Sequence, residues 1–199
     1  MTNPTIDSYE RDALSYAAGI DDFPPPEIEG ALLRLVEAIP PGGLVLEVGS
    51  GTGRDADFVE ACGASVRRTD ATRAFRNLQL ARGKQVELLD MISDDLGGPY
   101  DGILALCVFV HVDRKSTSAV LRRIAAALRP AGAFLVSVRQ GSGETRGAYL
   151  MSSWGRDEYE ALLAQAGLRV DWDHRHTYGV GDTWLTFLAR KAQSSLSSE

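Results

Sequence analysis

The chain has 199 residues, 44% of them hydrophobic and 24% charged, which predicts one globular domain with a full hydrophobic core. Its net charge of −6 argues against a broad nucleic-acid or anionic-membrane surface, so neither partner is expected. The absence of a signal-peptide core and of any apolar run approaching ~20 residues predicts a cytoplasmic protein.

Two helices are predicted before the first strand. The first runs from Asp7 to about Gly19, after a polar and mobile start. The second begins at Pro26, since proline is favoured in the first turn of a helix, and it ends before Pro40. Residues 1–40 are therefore expected to form a helical cap on the domain.

A short strand followed by a glycine turn is the central feature of the sequence. Leu44–Val48 predicts a strand buried on both faces, and a helical pattern follows the turn. Gly49, Gly51 and Gly53 allow a sharp turn and leave no side chain where a ligand approaches. This order is typical of a nucleotide-binding α/β domain. A dinucleotide turn needs a small residue where this chain has Arg54, whose side chain instead suits a carboxylate.

Three further strands are predicted after this turn, at Ala64–Asp70, Val86–Leu89 and Tyr100–Leu106. Asp70 ends the first of them, where a carboxylate can accept hydrogen bonds from ribose hydroxyls, although a surface or capping aspartate is the alternative. The two cysteines, Cys62 and Cys107, have no spacing for a disulfide or a metal site.

The C-terminal half continues the alternation of helices and strands. Asp113 is predicted to cap a helix, Ala133–Val138 to form the fifth strand, and Gly141–Gly147 to be a mobile loop that acts as a lid. A helix over Asp157–Ala166 should precede two strands joined by a hairpin at Gly179–Asp182. The serine-rich tail, residues 192–199, is predicted to be disordered.

The segment from Glu47 to Gly53, with the pattern Glu-x-Gly-x-Gly-x-Gly, closely resembles the first motif of the class I S-adenosylmethionine-dependent methyltransferases. The resemblance extends from about Tyr9 to Lys191, since the motifs agree in order and spacing and the closing hairpin is typical of that family. It implies an α/β fold: a single Rossmann-like domain with a seven-stranded, mostly parallel sheet, an antiparallel last strand and helices on both faces.

The resemblance also implies the cofactor, S-adenosylmethionine, its product S-adenosylhomocysteine, and the residues that bind them. The first helix would lie across the cofactor, although its tyrosines could also merely pack, and Asp90 and Met91 would contact the adenine. No metal is expected, because His174 and His176 alternate with Asp173 and Arg175 along one strand, which is not the spacing of a metal site. The predicted cofactor-binding residues are Tyr16, Glu47, Gly49, Ser50, Gly51, Gly53, Arg54, Asp70, Ala71, Phe75, Asp90, Met91, Leu106 and Cys107.

His111 is the candidate catalytic base, because it follows the fourth strand on the ligand side and its ordinary pKa suits neutral pH. The alternative is a histidine that braces the loop through the backbone. Tyr149, Trp154 and Tyr178 are candidates for contacts with the substrate, although core packing explains them equally well. The expected reaction is methyl transfer to an oxygen or nitrogen atom of a small molecule, such as a natural product or another metabolite, by a monomer or homodimer.

Two other functions stay open from the sequence. One is a non-catalytic subunit that binds S-adenosylmethionine and regulates a partner. The other is an NAD(P)-dependent oxidoreductase, which is disfavoured by Arg54, by the closing hairpin and by the lack of an obvious Tyr-x-x-x-Lys proton relay.

Overall fold

A computed structural model describes residues 3–178 and 181–192 of the chain. Within these residues, helices and strands alternate around one sheet. The helices are α1 (Pro4–Ala18), α2 (Pro26–Ala38), α3 (Arg54–Ala61), α4 (Arg73–Ala81), α5 (Arg114–Ala127) and α6 (Arg156–Gln165), with a 3-10 turn at Phe109–His111. The strands are β1 (Leu44–Val48), β2 (Ser65–Asp70), β3 (Glu87–Leu88), β4 (Tyr100–Ala105), β5 (Leu128–Gln140), β6 (Glu144–Arg146), β7 (Leu150–Trp154), β8 (Leu168–Tyr178) and β9 (Asp182–Lys191).

The main part of the sheet has the strand order β3-β2-β1-β4-β5-β9-β8. The first five of these strands are parallel, whereas β9 is antiparallel to both of its neighbours. The predicted α/β fold with an antiparallel last strand is therefore confirmed. The hairpin of β6 and β7 is an addition, and it joins the sheet where Arg139 and Gln140 of β5 pair with β7.

Apolar side chains cover both faces of the sheet because consecutive residues of a strand point to opposite sides. On one face, Leu46 and Val48 of β1 pack with buried residues of α5 and α6. On the other face, Val45 packs with buried residues of α2, among them Leu32 and Leu35. This double coverage explains why β1 has an almost unbroken apolar sequence.

Helix α1 bridges two parts of the molecule. The carboxylate of Glu10 accepts hydrogen bonds from the first two backbone amides of α4, at 2.5 and 3.1 Å. Thr5 and Ser8 hydrogen-bond the backbone of Leu150 and Ala148, at 3.0 and 2.7 Å, around the start of β7. The helix is thereby held beside the carboxyl ends of the parallel strands, where ligands bind in open α/β sheets.

Several predicted boundaries need correction. Helix α1 begins at Pro4 rather than Asp7, since the side chain of Asn3 caps it. The segment Gly141–Gly147 is not an irregular loop, because Glu144–Arg146 pairs with β7 as an antiparallel strand. The tip of the predicted closing hairpin, at 179–180, and the tail at 193–199 lie outside the described residues.

No helix within residues 3–178 and 181–192 combines the length and apolar character needed to cross a membrane.

Candidate active site

The turn after β1 requires its glycines. Gly49, Gly51 and Gly53 have φ angles of 68°, 53° and 84°, a region that side chains with a Cβ rarely adopt. A Cβ at Gly49 would lie 2.5 Å from a methyl group of Val108, and one at Gly53 would lie 2.4 Å from the amide oxygen of Gln79. At Gly49 and Gly53, larger residues are therefore disfavoured by sterics as well as by backbone strain.

A buried polar network supports this turn from below. The side-chain amide of Gln79 donates hydrogen bonds to Ser50 Oγ and to the Gly51 carbonyl, both at 3.0 Å. Arg68 donates to the amide oxygen of Gln79 at 3.0 Å, and acidic residues of α3 pair with its guanidinium. Neither Gln79 nor Arg68 was a sequence candidate, because a glutamine on a helix and an arginine in a strand are usually solvated.

Glu47 belongs to the same network rather than to the wall of the cleft. Its side chain is 4% exposed, and its carboxyl group accepts a hydrogen bond from Ser50 Oγ. Burial raises the pKa of Glu47 to about 8, so the group is protonated at neutral pH. Glu47 therefore supports the turn from below, and its predicted contact with the cofactor stays a prediction; Gly53 likewise faces Gln79.

Asp70 fixes the turn to the end of β2. One carboxylate oxygen accepts the backbone N–H of Gly51 at 2.8 Å, and the other accepts that of Thr72 at 2.7 Å. The residue is 5% exposed, and burial raises the pKa of its carboxyl group. Since each carboxylate oxygen has two acceptor sites, Asp70 retains capacity toward a ligand in the cleft that it lines.

A cleft in two adjoining parts lies over the carboxyl ends of the strands, and most of the predicted cofactor residues line it. The first part is mainly apolar and the second more polar, and the two share Tyr16, Gly49, Gly51, Leu106 and Cys107. The first part also includes Tyr9, Val48, Asp70, Ala71, Thr72, Phe75, Leu89, Asp90, Met91, Ile92, Val108, His111 and Val112, and the second includes Ser50, Thr52, Arg54 and Asp55.

The second part of the cleft contains opposite charges. Arg54 Nε lies 2.8 Å from Asp55 Oδ1, and about a fifth of each side chain is exposed. Cys107 has a φ of 58°, and its backbone N–H donates to Ser137 Oγ at 2.7 Å, which holds the end of β4 in place. Burial raises the pKa of Cys107 to about 11, so its thiol is neutral at pH 7.

Aromatic rings gather where α1 meets the cleft. The ring centroid of Tyr9 lies 5.8 Å from that of Tyr16, 5.6 Å from Phe75, 4.8 Å from Tyr149 and 5.3 Å from His111. Tyr16 is 42% exposed, whereas Phe75 is 4% exposed. These contacts fix the orientation of the Tyr9 ring at the edge of the cleft.

His111 has a hydrogen-bond partner at each ring nitrogen. Its Nδ1 lies 2.8 Å from the carbonyl oxygen of Leu150, and its Nε2 lies 2.9 Å from the hydroxyl of Tyr9. Burial lowers the pKa of His111, which keeps the ring neutral near pH 7. The contact with Leu150 matches the bracing alternative, while the position in the cleft matches the catalytic hypothesis.

The three predicted substrate residues have different surroundings. Trp154 is 3% exposed, lies under the Arg114 guanidinium and packs on Tyr159, so its predicted contact with substrate is corrected to core packing. Tyr149 adjoins Tyr9 and donates a hydrogen bond to Asp12 at 2.7 Å. Tyr178 ends β8, and its side chain lies outside the described residues.

The cleft fits an adenosyl cofactor. A Cβ on Gly51 would meet no atom closer than 4.0 Å, so the turn presents open space toward the cleft. Carboxylates at Asp70 and Asp90 can accept from hydroxyl and amine donors, and the apolar ring of Phe75 and chain of Met91 can flank a base. Within the part of the chain that the structure describes, no group of three or more potential metal ligands occurs.

Known methyltransferases resemble this chain in both sequence and fold. A family model described as a methyltransferase domain matches residues 22–178. A search of curated protein sequences found no match. Solved structures with the same fold include the Burkholderia thailandensis 1,6-didemethyltoxoflavin-N1-methyltransferase with S-adenosylhomocysteine, at a TM-score of 0.73 and 24% identity over 94% of this chain and 85% of that one.

Two other solved structures share the fold. One is the CcbJ methyltransferase from Streptomyces caelestis, with a TM-score of 0.72 and 20% identity over 91% of this chain and 96% of that one. The other is the magnesium protoporphyrin IX methyltransferase from Synechocystis with S-adenosylhomocysteine, with a TM-score of 0.70 and 16% identity over 83% of this chain and 82% of that one.

Proposed function

The chain belongs to the methyltransferase domain family and is an S-adenosylmethionine-dependent methyltransferase, and we propose that its acceptor is an oxygen or nitrogen atom of a small molecule. The observation that carries the proposal is the roofed cleft, in which Asp70 and the glycine turn face an apolar pocket that α1 covers. A concave, mainly apolar cleft that a helix covers on one side suits a small acceptor better than a macromolecular one. One of the three structural relatives, the methyltransferase from Burkholderia thailandensis, was crystallised with bound 1,6-didemethyltoxoflavin, which supports a small-molecule acceptor.

In this proposal the cofactor spans both parts of the cleft. Asp70 would accept hydrogen bonds from the ribose hydroxyls, and Asp90 would accept one from the adenine amino group. Phe75 and Met91 would flank the adenine ring. Arg54 would bind the carboxylate of the methionine part, and Asp55 its ammonium group, since both line the polar second part.

The bound cofactor supplies an electrophilic methyl group on a sulfonium sulfur. The chain then has to hold the acceptor in line with that methyl group and exclude water, which can contribute ~7–11 kcal/mol to lowering the barrier. Tyr9 and Tyr16 form the aromatic wall that would do so. Their electron-rich faces also favour a nearby positive charge.

Ligand binding tests the assignment directly. At 100 times its dissociation constant, S-adenosylhomocysteine should stabilise the fold by about 2.7 kcal/mol, and NADH should have no effect. For a chain of this size the melting temperature would rise by roughly 5–10 °C. Stabilisation by NADH but not by the adenosyl compounds would contradict the proposal. Methyl-labelled S-adenosylmethionine with a metabolite library would then identify the acceptor.

A further inference from the structure

The hydrogen bonds around His111 determine where its proton lies. The carbonyl oxygen of Leu150 can only accept a hydrogen bond, so Nδ1, 2.8 Å away, must carry the proton and donate it. The neutral ring then has an unprotonated Nε2, which can only accept. The hydroxyl of Tyr9, 2.9 Å from Nε2, must therefore be the donor of that hydrogen bond.

In this arrangement the hydroxyl of Tyr9 can still accept a hydrogen bond from another partner but can no longer donate one. Its single hydroxyl proton is committed to His111, so the lone pairs of its oxygen are what remain for another partner. Burial raises the pKa of Tyr9, which keeps the phenol protonated at neutral pH. Tyr9 and His111 both line the first part of the cleft, and four neighbouring rings hold the Tyr9 ring in place.

Resting on the proposed methyl transfer, we infer that Tyr9 contacts the methyl acceptor and relays its proton to His111, so that the site selects acceptors with an O–H or N–H group. An acceptor of this kind donates its hydrogen bond to the Tyr9 oxygen. Tyr9 is thus the catalytic residue in contact with the acceptor, and His111 is the positioning base behind it. Acceptors without a proton to lose, such as a tertiary amine or a thioether, gain no such contact.

The step balances in atoms and charge. The acceptor oxygen or nitrogen forms a bond to the methyl carbon, and the carbon–sulfur bond breaks with its electron pair passing to sulfur. The acceptor proton moves to the Tyr9 oxygen while the Tyr9 proton moves to Nε2 of His111. The resulting imidazolium is stabilised by the Leu150 carbonyl and later releases one proton to solvent. The positive charge of the sulfonium thus leaves as that proton.

The first experiment needs no acceptor. Nitrogen-15 NMR of labelled histidine, with S-adenosylhomocysteine bound, should show His111 protonated at Nδ1 alone near neutral pH. Tyr9→Phe should raise the pKa of His111, because the phenol hydrogen bond favours the neutral ring. The titratable side chains facing this ring are Tyr9 of α1 and Tyr149 before β7, so Tyr149→Phe is the matched comparison and should move that pKa less. A His111 ring protonated at Nε2 would overturn the relay.

The second experiment uses methyl-labelled S-adenosylmethionine with a panel of phenols, anilines and heteroaromatic N–H compounds. Tyr9→Phe and His111→Gln should each lower kcat by about 10²–10⁴-fold, with little change in affinity for S-adenosylhomocysteine. The glutamine keeps an acceptor for the Tyr9 hydroxyl but cannot act as a base. If His111 only braced the loop, His111→Gln would therefore retain most of kcat. The double variant should be no slower than the slower single variant, because the two residues act in one step.

A control separates loss of a buried phenol from loss of the relay. Tyr100→Phe removes a hydroxyl that donates to the Leu96 carbonyl at 2.8 Å, outside the cleft lining, and it should leave kcat unchanged. If wild type fails to bind S-adenosylmethionine by calorimetry, the proposed function itself is wrong. If it binds and Tyr9→Phe retains kcat within about tenfold, only the relay is wrong.

Discussion

Substitution of Glu47 by glutamine should remove a specific part of the pH dependence of stability. Glu47 is buried under the glycine turn, and burial raises its pKa from the ordinary 4.5 to about 8. The folded state therefore binds this proton more tightly than the unfolded state does. Stability from this group is fully present below about pH 4.5 and is lost as the pH rises through about 8.

The magnitude follows from these two pKa values. Between about pH 6 and pH 8, the wild type should lose about 2 kcal/mol of its free energy of unfolding through Glu47 alone. Glu47→Gln has no proton to lose, while its amide keeps nearly the shape of the protonated acid beside Ser50. The variant should therefore become more stable relative to wild type by about 2 kcal/mol over that range.

Urea denaturation of both proteins at several pH values measures this difference, and shared contributions from histidines cancel. Glu87→Gln is the matched control, because Glu87 is exposed on β3 and Arg67 lowers the pKa of its carboxyl group. Glu87 is therefore ionised in both the folded and the unfolded protein throughout this pH range. The Glu87→Gln and wild-type curves should stay parallel. Parallel curves for Glu47→Gln as well would show that Glu47 is ionised in the folded protein and would refute the reasoning.

Three further predictions follow from the site. Asp70→Asn should weaken S-adenosylhomocysteine binding by about 1–3 kcal/mol in calorimetry, and unchanged affinity in a folded variant would leave Asp70 only its role in the turn. Gly49→Ala should cost more stability in urea than Gly42→Ala, because both have φ near 70° but only Gly49 would collide with Val108; equal losses would contradict this. Glu10→Gln should speed hydrogen exchange of the first two α4 amides and cost about 0.5–2 kcal/mol, and unchanged exchange would show that this capping contact is absent in solution.

The positions of most strands and helices could be predicted because their causes are local. The glycine turn is recognisable from sequence since only glycine tolerates its φ angles, and Asp113 is confirmed as the cap of α5 by its hydrogen bond to Ser116. The β6 strand was missed because its pairing partner in β7, not its own glycine-rich sequence, determines its conformation.

Besides the resemblance to the methyltransferase family, the sequence by itself determined the α/β fold class, the glycine turn after β1 and the positions of most strands and helices along the chain. These depend on apolar periodicity and glycine spacing, which are properties of the local sequence. Only the tertiary structure placed Glu47 and Gln79 beneath the turn, buried Trp154, and brought Tyr9 to His111 across 102 positions of sequence. Those roles depend on burial and on partners distant in the chain, and no local pattern specifies either.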